Sequence, residues 1–345
     1  MRNFAYARPS SAPEAMAALG PDAMLIAGGT ELLNWQRLGI AEPVRLIDIG
    51  RLAPLRGIAK DGDTLVIGAL STLNEVGEHP LVVRHAGMLA QSCLKAASAQ
   101  IRNRATLGGN VLQKTRCPYF RAEAPLPWGC NKRQPGTGCA ALEGVNDRLA
   151  ILGTTDVCVA TQPSDPAVAL AALDAEAVLV SPRGRRELAM TDFHLTQAEA
   201  RAEAASGRVR LRSREEEARM ENRLRPDELI ASYRIPIRES ERSAYLKVRE
   251  RESYEYALVS AAAGLVMDGD RIGRVRVALG SVAQKPWRLE AAEDALRGRA
   301  LTREALLPPI ERALADARPL SHNGYKVRLA ANTAVRAIQM AGGAA

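Results

Sequence analysis

Met24-Leu25-Ile26-Ala27-Gly28-Gly29-Thr30-Glu31-Leu32 is a short apolar run that feeds directly into two adjacent glycines. Four apolar residues in a row have strand character, and a strand that ends in glycines can bring bare backbone against a ligand. Consecutive N–H groups exposed in this way suit a pyrophosphate. Outward from this junction, Pro13–Leu19 has a helical pattern, Ala23–Ala27 is the strand itself, and Val44–Ile49 is a second strand. Together they make a small α/β unit that ends near Leu52. Further on, Thr64–Gly68 reads as a strand and Leu81–Ala99 as a helix of small and apolar residues. Thr106-Leu107-Gly108-Gly109-Asn110 then forms a second glycine turn, with hydroxyl and amide side chains beside it. Neither pair fits G-x-G-x-x-G or a P-loop, which argues against a nicotinamide-type Rossmann domain.

The stretch from Thr115 to Gly153 has no period and is rich in Pro, Gly and Cys. A loop of that length needs something to order it, and a metal centre would serve. Cys117, Cys130, Cys139 and Cys158 are separated by twelve, eight and eighteen residues. Structural zinc sites place ligands in C-x₂₋₄-C pairs, and no such pair occurs here. An iron–sulfur cubane accepts four thiolates from widely spaced loops. Arg116, Arg121, Lys132 and Arg133 lie beside these cysteines in sequence, where cations offset the negative charge of such a cluster. Cys93, on an apolar helix face, reads as an ordinary buried thiol.

Regular structure resumes with a helix over Ala167–Ala175 and a strand over Ala177–Val180. Residues 200–225 are charged and weakly patterned, as in a linker or exposed helix. Beyond Leu229 a new unit is expected. In it Tyr233–Ile237, Ala244–Val248, Ala257–Met267 and Ile272–Leu279 read as strands with one helix among them, followed by helices over Glu290–Arg297, Ile310–Ala317 and Tyr325–Met340. This order gives an α+β fold. The length of 345 residues suits two or three domains, and 47% hydrophobic with 25% charged residues is ordinary for a soluble globular protein. The net charge of +8 arises from arginines mixed with acids, as in Arg212–Arg223, so a solvated surface accounts for it better than nucleic-acid binding. No apolar run reaches the roughly 18 residues a membrane helix needs, and the N-terminus has no apolar export signal of its own. His79, His85, His194 and His322 are dispersed and fit no metal or triad spacing.

Ala27-Gly-Gly-Thr30 and Thr106-Leu-Gly-Gly-Asn110 resemble the two FAD pyrophosphate-binding segments of the xanthine dehydrogenase/aldehyde oxidase flavoprotein family. The resemblance continues through Pro163-Ser-Asp-Pro166, Lys247-Val-Arg-Glu-Arg251, Tyr256-Ala-Leu-Val-Ser260 and Gly280-Ser-Val-Ala-Gln-Lys-Pro-Trp287. Arg116-Cys-Pro-Tyr-Phe120, Cys130-Asn-Lys-Arg133 and Pro135-Gly-Thr-Gly-Cys-Ala-Ala-Leu-Glu-Gly144 are similar to a cysteine-rich insertion. That insertion binds a 4Fe-4S cluster in the flavin subunits of bacterial molybdenum aldehyde oxidoreductases of the periplasmic type. The resemblance implies a two-subdomain, vanillyl-alcohol-oxidase-like (PCMH-type) FAD module with a C-terminal α/β domain of the CO dehydrogenase flavoprotein type. Its subdomains are expected at 1–52 and 53–225, with the cluster insertion at about 115–158, and the C-terminal domain at 226–345.

By the same resemblance, Leu25, Ile26, Ala27, Gly28, Gly29, Thr30, Glu31 and Leu32 wrap the FAD pyrophosphate. Thr106, Gly109 and Asn110 hold it from the other side, and Asp165, Ile230 and Lys247 add contacts. Cys117, Cys130, Cys139 and Cys158 are the cluster ligands. The implied role is electron transfer in a heterotrimer, with no catalytic acid, base or nucleophile in this chain. A large subunit carries the molybdenum cofactor, a small one carries 2Fe-2S clusters, and FAD reduces an external acceptor. Neither nucleic acid nor membrane insertion is expected. The location is the cytoplasm, or the periplasm through co-export with a signal-bearing partner. The alternatives are a reductive relative similar to 4-hydroxybenzoyl-CoA reductase, a free-standing flavoenzyme resembling UDP-N-acetylenolpyruvoylglucosamine reductase, and a basic zinc-stabilised nucleic-acid module.

Overall fold

The computed structural model describes residues 2–207 and 209–343. Three short strands, β1 (Ala5–Ala7), β2 (Ala23–Ile26) and β3 (Arg45–Asp48), form a parallel sheet in the order β1-β3-β2. The helix α1 (Leu32–Arg37) follows β2. β2 pairs with β3 from Ala23–Arg45 to Ile26–Asp48, and the Ile49 N–H continues the ladder to the Ile26 carbonyl at 2.9 Å. The chain therefore leaves the sheet at Ala27, just before the first glycine pair.

The second sheet is antiparallel, with the order β4-β5-β8-β6-β7. Its strands are β4 (Ile58–Asp61), β5 (Thr64–Gly68), β6 (Glu176–Ser181), β7 (Gly184–Ala189) and β8 (Leu229–Pro236). Here the structure departs from the expected boundary at 226. β8 sits between β5 and β6, with Tyr233 opposite both Ile67 and Ala177. Tyr233 is fully buried, and a strand with partners on both edges cannot start a separate unit. Between β5 and β6, the expected helix over Leu81–Ala99 is two helices, Pro80–His85 and Gly87–Lys95, with Ala86 in a non-helical conformation between them. The second glycine pair is also not a turn: it lies inside the short helix α2 (Leu107–Val111). α3 (Asp165–Ala172) follows the cysteine-rich segment and is buried on every side. Within 200–225 lie the end of the helix Gln197–Ala205, which starts with a capping box from Thr196 and Glu199, and a 3-10 turn over Arg214–Arg219.

The third sheet, β12-β11-β10-β9, is antiparallel and built from β9 (Arg242–Val248), β10 (Val259–Asp268), β11 (Arg271–Gly280) and β12 (Trp287–Arg288). Ala257–Met267 thus contributes a strand, and no helix interrupts this set. The missing alternation has a physical cause: Ala262 packs into the core of the second sheet while Ala261 and Ala263 pack into the C-terminal core, so both faces are buried. Small residues make this double packing possible. A Cβ on Gly280 would lie 2.5 Å from Val168 of α3. The long helix α4 (Tyr325–Ala341) closes the outer face with Ala330, Ala334, Val335 and Ile338.

Residues 115–158 contain only the short helix Pro118–Arg121 and a 3-10 turn over Ala140–Leu142. Side chains order the rest by donating to backbone carbonyls. Arg133 reaches Phe120 and Ala122 within the segment, and Leu38 and Gly39 beyond α1. From the C-terminal domain, Asn323 donates to Leu149 and Ala150, and Lys326 donates to Leu149 at 2.9 Å and to Ser281 at 2.5 Å. Lys326 is 0% exposed, and burial lowers its pKa to about 7 from the ordinary 10.5. Between about pH 7 and 10.5 the unfolded chain still binds a proton that the folded chain has released, so this residue makes stability rise with pH across that window. Lys326→Met removes the group. The stability of the natural chain relative to this variant is expected to climb with pH, by at most about 1.4 kcal/mol per pH unit. Denaturant unfolding at pH 7 and pH 10 measures it, and parallel pH profiles for the two proteins refute the assignment.

Candidate functional site

The first glycine segment, α2, Ile230 of β8 and Lys247 of β9 surround a cavity of about 810 Å³. This is near the upper end for ligand pockets, large enough for a dinucleotide rather than a single small metabolite. Of the residues expected to touch the cofactor, Leu25, Ile26, Ala27, Gly28, Gly29, Thr30, Glu31, Leu32, Thr106, Gly109, Asn110, Ile230 and Lys247 line it. Asp165 does not.

The first segment supplies open donors. Among the described residues, the N–H groups of Gly28, Gly29, Thr30, Glu31 and Leu32 have no hydrogen-bond acceptor in the protein, although the Gly29 carbonyl accepts from Leu33. Gly29 has φ +75°, the left-handed region that glycine enters without strain, and this turns the run of amides at the end of β2. Gly28 is required for a different reason. A Cβ there would lie 1.9 Å from the Arg104 carbonyl oxygen, so the wall carrying α2 is in contact with the backbone of the first segment.

The second segment does not offer a matching row of amides. Leu107 N–H donates to Ser71, Gly108 N–H to Ala69, and Gly109 N–H to the Thr106 hydroxyl that caps the helix. It adds a side-chain donor instead. Asn110 Oδ1 accepts from Ser164 Oγ at 2.7 Å and from Gln113 at 3.1 Å. Among the described residues, Asn110 Nδ2 has no protein partner. Asp165, which does not line the cavity, supports a residue that does. One carboxylate oxygen takes Lys247 Nζ at 2.8 Å and the other takes the Tyr245 hydroxyl at 2.6 Å, which fixes the Lys247 cation at the cavity wall.

Sequence reasoning missed Gln113, Arg116, Trp35, Tyr254 and Tyr256, which also line the cavity. Arg116, beside a cysteine, and Tyr256, which opens the Tyr256–Ser260 segment of the resemblance, carried a signal. The Arg116 guanidinium stacks over Tyr256 at 4.3 Å and pairs with Glu31. Glu31 also binds Arg121 at 2.9 Å and the Trp35 indole at 2.6 Å. Burial lowers the Arg116 pKa to about 10, which leaves it charged at neutral pH.

Cys117, Cys130, Cys139 and Cys158 together line a second, much smaller cavity. All four are free thiols, and Cys130 and Cys139 face each other across an isolated β-bridge. Burial pushes the Cys117 thiol up to about 12 and Cys158 to about 11, against backbone N–H groups of Phe120 and Ala160 that point at the sulfurs. Among the described residues, no group of three or more His, Cys, Asp or Glu is arranged to hold a metal ion. Of the four cations beside the cysteines in sequence, Lys132 alone lines this cavity; Arg116 and Arg121 turn to Glu31, and Arg133 is taken up by carbonyls. Lys132 is paired with Glu221 at 2.8 Å, and Glu221 also pairs with Lys114. His194 donates or accepts through Nε2 at the Val111 carbonyl, and burial depresses its pKa to about 4, so it is a neutral structural group.

Residues 2–238 match the family described as the FAD binding domain in molybdopterin dehydrogenase. Residues 244–341 match the CO dehydrogenase flavoprotein C-terminal domain, so the division falls after β8. The chain is 38% identical over 336 residues to the aldehyde oxidoreductase FAD-binding subunit PaoB of Escherichia coli K12, covering 96% of each. It is 28% identical to the carbon monoxide dehydrogenase medium chain of Hydrogenophaga pseudoflava, over 98% of this chain and 96% of that one. The solved structure of that organism's carbon monoxide dehydrogenase lacking the Mo-pyranopterin moiety superposes with a TM-score of 0.72, over 99% of this chain and 98% of its counterpart. Gly28→Ala is expected to force the two cavity walls apart and weaken FAD binding at least about tenfold, or 1.4 kcal/mol. Fluorescence titration of the flavin-free protein measures this, and an affinity equal to that of the natural chain rules out the close-contact argument.

Proposed function

Because the chain belongs to the FAD-binding subunits of the molybdenum hydroxylase family, we propose that it is the electron-transfer subunit of a heterotrimeric aldehyde oxidoreductase. Its partners carry the molybdenum cofactor and 2Fe-2S clusters, and it passes their electrons through FAD to an external acceptor. The assignment to aldehydes rests on the E. coli relative. The observation that carries the flavin reading is the row of unpartnered amides from Gly28 to Leu32 at the edge of a dinucleotide-sized cavity. FAD, when bound, accepts electrons singly and gives them up in pairs.

The protein's own contribution is binding and electrostatics. The open amides of Gly28–Leu32 hold the pyrophosphate, as an array of N–H dipoles holds any anion. Asn110 Nδ2 adds a donor from α2, and Lys247, braced by Asp165, adds a fixed charge. No side chain is required to move a proton to or from substrate, in keeping with substrate chemistry in a partner subunit.

The four thiols around one cavity support a 4Fe-4S cluster on Cys117, Cys130, Cys139 and Cys158. Their sulfurs must lose protons to bind iron, against the upward push of burial. Lys132 and the inward-pointing amides favour the resulting negative charge. The subunit resides in the cytoplasm, or in the periplasm when a partner's signal carries the assembled complex. Cys130→Ser is expected to remove most of the iron while FAD content stays at the natural level. Anaerobic purification followed by iron and flavin analysis checks this, and equal iron in both proteins refutes the ligand assignment.

A further inference from the structure

Cys130 and Cys139 stand opposite each other in an isolated antiparallel bridge, and both line the cysteine cavity. The hydrogen bonds around them define the kind of pair. Asn131 N–H donates to the Gly138 carbonyl at 2.8 Å, and Ala140 N–H donates to the Gly129 carbonyl at 3.0 Å. The bonds thus run between the flanking residues, which marks a non-hydrogen-bonded pair, with Cα atoms about 4.5 Å apart and side chains close together. A disulfide needs Cα atoms roughly 4.4–6.8 Å apart, so the backbone holds these two cysteines within bonding reach. The protein's own contacts fix the hairpin. A Cβ on Gly129 would lie 1.9 Å from the Thr137 carbonyl oxygen, and Gly136 and Gly138 have φ of +87° and +91°. The buried Asn131 side chain accepts from both of those glycine amides, at 3.1 and 3.0 Å, and Cys130 N–H donates to the Thr137 hydroxyl at 3.0 Å. Among the described residues, neither Cys117 nor Cys158 shares a bridge with another cysteine. Of the four, Cys139 is the one that is partly exposed, so a reagent from solvent meets it first.

We propose that Cys130 and Cys139 form a cross-strand disulfide when the segment is oxidised without iron, and that this bond and the cluster exclude each other. The exclusion rests on the proposed cluster, whereas the disulfide rests on the hairpin alone. The oxidant is a small dialkyl disulfide. The Cys139 sulfur attacks it, forming a mixed disulfide and expelling one small thiol. The Cys130 sulfur then attacks the Cys139 sulfur, closing the bond between them and expelling the second. Two protein thiols are oxidised, one small disulfide is reduced, and both protons leave on the two small thiols. The closed bond takes two of the four sulfurs out of use, so the oxidised segment cannot take up the cluster until a thiol reopens it.

The test uses the full-length natural chain, purified anaerobically. One portion keeps its iron and the other is stripped with a chelator. Both are equilibrated with 2-mercaptoethanol and its disulfide, alkylated, and digested with trypsin. Cleavage after Lys132 and Arg133 puts the two cysteines on separate peptides, 122–132 and 134–148. The stripped protein is expected to give these two peptides joined. The equilibrium constant for the bond is expected to be at least about tenfold larger in native buffer than in urea, because the hairpin adds to what the short loop alone provides. The iron-loaded protein is expected to give the same peptides unjoined. Separate peptides from the stripped protein overturn the proposal, and so does an equal share of bonds to Cys117 or Cys158. A constant no larger in native buffer than in urea overturns the role of the hairpin. Joined peptides from protein that retains its iron overturn the exclusion. A chain that holds no iron when purified, yet joins these peptides, overturns the cluster reading and the exclusion with it, while the disulfide stands.

Discussion

The contact between Gly28 and the Arg104 carbonyl is the constraint on which the large cavity depends. One methyl group at Gly28 would need the space that the carbonyl oxygen occupies. The two strands and the helix around this point are ordinary. Their value lies in bringing a bare backbone turn against a second wall with nothing between them. The glycine at 29 then enters the left-handed region, and the amides from Gly28 to Leu32 are left without acceptors in the protein among the described residues. An array of N–H dipoles binds an anion without a mobile charged side chain and so loses little conformational entropy on binding.

Charge is arranged in two parallel groups around the cysteine segment. Glu31 joins Arg116 and Arg121, and Glu221 joins Lys114 and Lys132. Each group places one carboxylate between two cations and is partly or wholly buried. Pairing of this kind offsets part of the desolvation cost while leaving a surplus positive charge. The first surplus lies next to the large cavity and the second next to the cysteine cavity, and Lys114 also lies over the Trp35 ring at the edge of the first.

The C-terminal domain contributes to both sites without lining the small one. β9 delivers Lys247, and α4 holds the end of the cysteine segment through Lys326 and the preceding Asn323. Asp174, just beyond α3, pairs with Arg238, Arg276 and Arg288, which ties the second sheet to the third. The guanidiniums of Arg288 and Arg276 hold its carboxyl below the usual range despite the opposing effect of burial. The interface between the two matched regions is therefore packed and ion-paired, and β10 is buried by both of them.

The amino-acid sequence determined the features that depend on local chemistry. A strand ending in Gly28-Gly29 suited a turn that brings backbone close to a ligand, and the resemblance gave that turn its FAD reading. Four cysteines in an unpatterned segment could be recognised from residue type and spacing, and so could β2, β3 and the C-terminal helices, whereas β1 went unread. What only the tertiary structure decided involves partners distant in the chain. Gly108-Gly109 resembles the first pair, but its helix forms because Ala69 and Ser71 supply acceptors for its first amides. Asp165 supports Lys247 because β9 brings Tyr245 and Lys247 to it from 80 and 82 residues away. The one helix expected among the segments from Tyr233 to Leu279 is absent: burial of Ala257–Met267 on both faces erases the alternation that would have marked every one of them as a strand. Arg116 stands beside Cys117 in any reading, but its unpartnered Nε exists only where the fold removes water from it.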